Sequence, residues 1–513
     1  MRLIHFPEPT LLFRHDQAVE DPRDGLSLFG PLDKGSPYGI RAGVIGTKDG
    51  LRRFRDWAAK IQGAVIQPDS DELFQLSHPP YPGFEAAFRV PLNPVPVLEI
   101  ELQREALNKS LYLANKHQRV YGTVDLYADR ILKALKDEDV KVDVWFVLVH
   151  DDVYKYCRPE SHVPAAQIIQ LEQRLTAKDA RRLQTEPSLF DEINVAATPY
   201  LYEPNFHNQL KARLLGHDAP TQIIRESTIA HREPEFLNTR GNPTRKLDSL
   251  QSRIAWNISN AVFYKAGGRP WKIAQIRKGV CYIGLAFKQD GRGGDPRSAC
   301  CAAQMFLDSG DGVVFKGAVG PWYSPRRGEF HLGRQAAQRL VNLSIETFSK
   351  DPNNKEKSPP AELFLHGRTI FNDEEWAGFQ DAVDPKKTNL VGVRIKTEKV
   401  MKLYRRGSHP ILRGLAHVQD ARTAYLWTSG FVPRIQTYDG KEVPRPLLID
   451  VCRGEANIKA VLTDIMALTK LNYNSCRFGG GSPVTLRFAD AVGEILTAGP
   501  LDSDAPLSFK YYI

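Results

Sequence analysis

Four side chains near the middle of the chain have the types and spacing to grip an anion. His207 and Lys211 stand four residues apart, Gln222 follows eleven residues on, and Lys265 stands just ahead of Gly267 and Gly268. A spacing of four puts His207 and Lys211 on one face of a helix. A terminal phosphate only accepts hydrogen bonds and carries up to two charges, so it calls for converging N–H donors of this kind. Each charge-assisted bond contributes about 1.5–3 kcal/mol when partly desolvated, so four of them would select a phosphorylated end over a hydroxyl end. Taken singly, the residues have plainer roles. The His207–Lys211 pair could be a solvated polar face, and Lys265 would suit the negative end of a helix dipole.

The elements that must position these groups can be read from periodicity. Phe206, Leu210 and Leu214 recur every four residues and give the helix an apolar face. Asn205 is placed to cap its start and Gly216 to stop it. "TQIIRES" reads as a strand carrying Gln222, and "LQSRIAWNISNAVFYKA" as a long helix with Lys265 in its last turn. Upstream, "IRAGVIGT" reads as a strand, "KDGLRRFRDWAAKIQG" as an amphipathic helix, and "VDVWFVLVH" (142–150) as a central strand covered on both faces. "AAQIIQLEQRL" reads as helical. The first 40 residues, rich in Pro, Gly and Asp, read as an ordered strap across a surface. After residue 268 come three consecutive strands ("VCYIGLAF", "AAQMFLD", "VVFKGAV"), a helix over 334–349, and the strand "AELFLHG". Further strands and two helical segments follow. "DSGDG" reads as a hairpin turn and "GRGGDPRS" as a mobile loop. The pattern predicts an α/β fold in three segments: a strap at 1–40, a three-layer half at 41–267, and a second sheet domain with a mixed sheet at 268–513.

Bulk properties narrow the function classes. The 513 residues are 42% hydrophobic and 25% charged, an ordinary globular balance. An excess of 69 Lys+Arg over 60 Asp+Glu gives +9, which suits a polyanionic partner without requiring one. Six cysteines show no zinc spacing, and the adjacent Cys300 and Cys301 read as small apolar residues in a buried element. A reducing compartment is expected. No apolar run approaches 18 residues and the N-terminus has no signal-peptide core, so no membrane association and a cytoplasmic location are expected. Neither G-x-G-x-x-G nor G-x-x-x-x-G-K-[ST] occurs where a strand meets a helix, which argues against a metabolic enzyme for phosphorylated small molecules.

The pattern H-x3-K, Q eleven residues on, then K-x-G-G resembles the MID-domain pocket of Argonaute proteins. There the 5′ phosphate and first base of a guide strand are held. "YIGLAF", "LFLHGRTIFNDEEW", "LTKLNYNS" and "PVTLRFADAVGEI" occur in the order of an RNase H-like PIWI domain. With the strap and its "DPRDGLSLFGP", the whole chain resembles short prokaryotic Argonautes. That resemblance implies a Rossmann-like MID domain at 41–267, an RNase H-like PIWI domain at 268–513, and no PAZ or N domain. It implies that His207, Lys211, Gln222 and Lys265 bind the guide 5′ phosphate. His207 stands where most members have a tyrosine that stacks on the first base, and Ala261 stands where a second lysine is often found. It also implies Mg2+ at the phosphate, with Ile513 supplying a terminal carboxylate as ligand.

Slicing members of this group hold two metal ions with an acidic tetrad. Here Ala286 and Gly367 occupy two of the tetrad positions, and Asp490 alone stands at the last. Asp308, Asp311, Asp373, Glu374 and Glu375 lie nearby in sequence, but "NDEEW" reads better as a helix start capped by Asn372. The resemblance therefore implies a silent sensor. It would bind a 5′-phosphorylated guide RNA, recognise complementary single-stranded DNA of plasmid or phage without cutting it, and activate an APAZ-domain effector. A TIR NADase is the favoured effector, with Sir2 or nuclease effectors as alternatives. Higher-order assembly on activation and consequent cell death or stalling belong to the same expectation. An active guide-dependent nuclease is the competing reading.

Overall fold

The computed structural model of the chain describes residues 3–66, 76–170, 175–289, 297–306, 312–324, 326–351, 354–438, 440, 442–500 and 507–513. "DSGDG" and "GRGGDPRS", with Asp308 and Asp311, fall almost wholly outside these residues.

The unbroken apolar run at Val144–Val149 lies inside a four-stranded parallel sheet. Ala42–Thr47 and Thr221–Arg225 flank it, and Leu98–Leu102 forms an edge. Every residue of Ala42–Thr47 and Val144–Val149 is buried, so neither strand shows polar alternation. Helix Lys48–Lys60 covers one face, packing Phe54 and Trp57 with Val44, Phe146 and Leu148. Helix Lys116–Asp137 covers the other face, where Val124 and Ile131 meet Ile45, Trp145 and Val147. Phe206, Leu210 and Leu214 join this second cluster, which fixes the orientation of the helix bearing His207 and Lys211.

The second half is built on a ten-stranded mixed sheet. Val280–Gln289, Ala299–Phe306 and Gly312–Gly320 form an antiparallel meander. Cys301 is buried in it, as a small apolar residue would be. Helix Arg334–Lys350 then carries the chain to Glu362–Gly367, which pairs in parallel with the first meander strand and with Asn389–Thr397. Antiparallel strands Leu447–Arg453, Thr423–Leu426 and Leu415–Val418 extend that side. Helix Gln251–Lys265 joins the halves. Trp256 and Phe263 share one apolar cluster with Leu462 and Leu471, and Asn260 Nδ2 donates to the Tyr473 carbonyl at 2.8 Å.

Two local expectations differ from what is found. The strap does not merely cross a surface. Leu3–His5 adds a strand to the ten-stranded sheet beside Leu415–Val418, and Leu11–Leu12 pairs with Ala18–Val19 and Lys272–Ile273. Glu8 accepts from Arg413 at 2.8 Å and from Lys470 at 2.9 Å, anchoring it. Of the helix read at "AAQIIQLEQRL", residues 171–174 lie outside the described residues, and residues 165–170 hold a 3-10 turn, Ala165–Gln167. Two β-branched residues follow, and Ile169 instead bridges Leu113 in an extended pairing.

Gly284 sets how closely the last helices approach the sheet. A β-carbon there would lie 1.8 Å from the carbonyl oxygen of Thr485, in the helix Val484–Arg487. Thr485 is also bonded to the buried His366 ring at 2.9 Å. Gly284→Ala should therefore cost roughly 1–3 kcal/mol through overpacking, read as a lower urea midpoint. An unchanged midpoint would show that the helix can move off the strand freely.

Candidate functional site

Asn205 caps the helix Phe206–Leu214, its side chain accepting from the Asn208 N–H, and Gly216 follows at φ +85°. The helix presents His207 to a cavity of about 450 Å³ that Gln222 also lines. Lys211 and Lys265 lie behind that wall. They are 3% and 2% exposed. Lys265 Nζ donates to Gln222 Oε1 at 2.7 Å, and Lys211 Nζ donates to the Ile513 backbone oxygen at 2.6 Å. The four residues of the sequence pattern are thus brought into one corner, with the last residues of the chain against it. Tyr511 locks that tail by donating to Asp218 at 2.5 Å. Ala261 is buried one turn before Lys265, so it adds no donor.

Among the described residues no Asp or Glu side chain pairs with either lysine. Burial pushes the Lys211 ammonium down to about 7. Burial, reinforced by Lys211, holds Lys265 well below the ordinary lysine range. The His207 ring is open to the cavity yet surrounded by protein on its other sides. Desolvation first and Lys211 second lower it to about 4, so it is neutral at physiological pH. Its Nδ1 lies 3.1 Å from Asn208 Oδ1, and Asn208 in turn donates to Glu203. His207 therefore offers a neutral ring and one hydrogen bond, and the positive charge must come from the lysines.

A divalent ion finds little here. The protein oxygens at the corner, Gln222 Oε1 and the backbone oxygens of Ile513 and Tyr511, are already turned to ammonium groups. No cluster of three metal-ligating side chains exists among the described residues. On their own these residues offer Mg2+ an incomplete shell, in which Ile513 and Gln222 Oε1 would be the protein oxygens.

Sequence reasoning passed over the cavity's rim. Tyr154, 45% exposed, lies beneath two guanidinium groups, Arg225 at 4.1 Å and Arg158 at 4.7 Å from its ring centre. Arg225 is held by Asp151. The interleaved "YKYCR" after the buried strand was the available signal, since stacked aromatic and cationic groups suit a flat heterocycle. A flat ring beside Tyr154 is what this cavity can accommodate, with the two lysines behind its wall at Gln222.

The second candidate region is the end of Glu362–Gly367. Gly367 pairs with Arg394, and Ala286 faces Ala302 in the neighbouring strand pair. A β-carbon on Gly367 would meet the Phe371 ring at 3.0 Å. Asp490, in the first turn of Ala489–Leu496, accepts from both terminal nitrogens of Arg368, at 3.2 and 3.0 Å. Asn372 caps the helix Asp373–Asp381, and each of the three acids there has a local partner. Asp373 faces Arg453, Glu374 the Arg334 N–H, and Glu375 the Leu332 N–H. Phe371 and Arg368 were not foreseen, although both sit within the quoted "LFLHGRTIFNDEEW".

No family model matches this sequence, and no curated protein does. Solved structures do match in fold. The chain is similar to Clostridium butyricum Argonaute bound to a guide DNA and a 19-mer target DNA, with TM-score 0.65, 13% identity, and coverage of all of this chain and 55% of that one. Drosophila Piwi gives 0.56 at 12% identity, over 100% and 56% of the two chains. Aa-Ago with externally bound siRNA gives 0.55 at 13%, over 99% and 56%. The architecture is an Argonaute-like MID–PIWI fold, and the chain spans a little over half the length of these proteins.

The depressed lysines make a signed prediction. A bound phosphate would raise both ammonium pKa values, so affinity for a 5′-phosphorylated strand should fall as pH rises from about 7 to 9. The fall should reach at most about tenfold per unit per lysine, while affinity for a 5′-hydroxyl strand stays flat. Without ligand the sign for folding is opposite. The unfolded chain keeps both lysines protonated up to their ordinary range, so stability should rise with pH over the same window. Titrations by fluorescence anisotropy in EDTA check both the slope and the independence from metal; a flat phosphate profile would contradict the assignment.

Proposed function

We propose that this chain is the guide-binding sensor of a prokaryotic Argonaute defence system. It holds a 5′-phosphorylated guide RNA, with the phosphate at Lys211, Lys265 and Gln222 and the first base over the cavity beside His207 and Tyr154. The observation that carries this reading is the pair of buried lysines, with no Asp or Glu partner among the described residues, behind a ring-sized cavity on an Argonaute-like fold. Among the similar structures, one holds a guide DNA with its target DNA and another an siRNA, which supports a guided role.

The sensor recognises complementary single-stranded DNA and leaves it intact. Supporting this, a side chain at Gly367 would crowd the Phe371 ring, and the remaining Asp490 pairs with Arg368. Two magnesium ions need several free carboxylates to hold them. Output then passes to an APAZ-domain effector protein, with assembly into a larger oligomer on activation. A TIR NADase is favoured because the sequence resemblance runs closest to that group; a Sir2 or nuclease effector would leave the sensor role unchanged. Among the described residues no helix is long and apolar enough to cross a membrane, in keeping with action in the cytoplasm.

Two results test this. The Lys211→Ala/Lys265→Ala chain should lose its preference for phosphorylated over hydroxyl guides, an expected drop of about two orders of magnitude from two charge-assisted bonds, with folding retained by circular dichroism. Retained preference would reject the pocket. Separately, the wild-type chain and Gly367→Asp, loaded with guide and given Mg2+ or Mn2+, should bind a matched target and yield no cut strand on a denaturing gel. Cleavage would favour the nuclease reading.

A further inference from the structure

We propose that His207 reads the sugar of the first guide nucleotide: its Nε2 accepts a hydrogen bond from a ribose 2′-hydroxyl, so a guide that begins with ribose is held more tightly than one that begins with deoxyribose. The inference rests on the guide-binding reading above and deepens it. It starts from three side chains, Glu203, Asn208 and His207, whose hydrogen-bond directions fix one another in turn.

Glu203 is the anchored end. Its backbone N–H donates to the Ala498 carbonyl at 2.8 Å, which ties it to the second half of the chain. A carboxylate only accepts hydrogen bonds, so the Asn208 atom 3.2 Å from Glu203 Oε2 is the amide nitrogen, Nδ2. The other end of that buried amide is then Oδ1, which lies 3.1 Å from His207 Nδ1. An amide oxygen also only accepts, so the proton of the neutral imidazole sits on Nδ1. Nε2 keeps its lone pair, and it has no hydrogen-bond partner among the described residues. A histidinium here would turn a second N–H outward and would suit phosphate oxygens. The neutral ring does the reverse and presents an acceptor.

That acceptor stands out in its surroundings. His207 lines the cavity of about 450 Å³ together with groups that donate or are already engaged. Arg158 and Arg225 only donate. Gln222 Oε1 accepts from Lys265, Asn205 Oδ1 from the Asn208 N–H, and Thr228 Oγ1 from Arg245. Position then selects the donor that Nε2 meets. His207 and Lys211 share one helix face a turn apart, with about 5–6 Å between their β-carbons. With the phosphate at Lys211 and the base beside Tyr154, the ribose that joins them passes His207. Its 2′-hydroxyl supplies an O–H donor, and deoxyribose has none.

The test uses the full chain at pH 8 and 5′-phosphorylated guide RNAs that differ only in the first sugar: ribose, 2′-deoxyribose or 2′-fluororibose. The fluoro sugar keeps a ribose-like pucker without the O–H donor. Both altered guides should bind wild type more weakly by about two- to tenfold, the worth of one neutral hydrogen bond. His207→Phe, which keeps a ring and removes Nε2, should bind all three guides equally. Asn208 is a positioning residue. Asn208→Ala should shrink the ribose preference, and nitrogen NMR of labelled histidine should show the His207 proton shared between Nδ1 and Nε2. Equal wild-type affinity for the three guides would overturn the proposal, and this comparison stands even if a variant fails to fold. So would a fluoro guide bound as tightly as ribose, which would assign the preference to pucker, or a ribose preference that survives in His207→Phe. An unchanged tautomer in Asn208→Ala would overturn the relay. Equal sugars with the 5′-phosphate preference intact would overturn this reading alone, whereas a wild-type chain with no 5′-phosphate preference would overturn the function proposed above as well.

Discussion

Two lysine ammonium groups share one buried corner of this protein with no carboxylate side chain to offset them. Placing a charge in such surroundings is costly, and proteins usually answer with a partner. This chain does so elsewhere. Arg53 is buried in the same half, yet it meets Glu226, Glu233 and Glu235. Lys470 is buried in the second half against Glu8. At Lys211 and Lys265 no Asp or Glu side chain is offered among the described residues; the Gln222 amide oxygen and the backbone oxygens of Tyr511 and Ile513 face them instead. In the function proposed above, the 5′ phosphate of a guide supplies the missing partner.

The surrounding architecture can be understood as what that corner requires. Its walls come from distant parts of the chain: a capped helix, the last strand of the parallel sheet, the final turn of the helix joining the halves, and the tail that leaves the ten-stranded sheet at Leu507–Ser508. Because the joining helix packs into the second half, the corner and the tetrad cleft belong to one continuous structure. The first region concentrates positive charge by excluding carboxylates. The second gathers Arg327, Arg368, Arg394, Lys396 and Arg453 around one cavity. Both concentrations of positive charge accord with the polyanion-binding role proposed above.

Much of this was legible in the residues. The apolar run at 144–149 and the four-residue recurrence of Phe206, Leu210 and Leu214 placed the sheet and the pocket helix, because burial on two faces or on one leaves a clear periodic trace. Lys265 before its glycine pair was legible for the same reason. The strap's strand pairing was hidden, since Leu3–His5 and Leu11–Leu12 are too short to show alternation and their partners lie hundreds of residues away. At residues 165–170 the helical pattern loses to an extended pairing of Ile169 with Leu113. At the site, residue type and spacing located His207 and Lys211 but could not reveal that the lysines lie behind the cavity wall, or that His207 is held neutral. Tyr154, Arg368 and Phe371 were invisible because their roles depend on what faces them across the fold.

The central claim is that an incoming phosphate recharges the buried lysines. Isothermal titration calorimetry of guide binding at pH 8, repeated in buffers of different ionisation enthalpy, counts the protons exchanged. The account predicts net uptake of protons for a 5′-phosphorylated guide, since burial holds Lys211 down at about 7 and Lys265 well below the ordinary lysine range, and none for the same guide with a 5′ hydroxyl. Equal proton exchange for the two guides would contradict it.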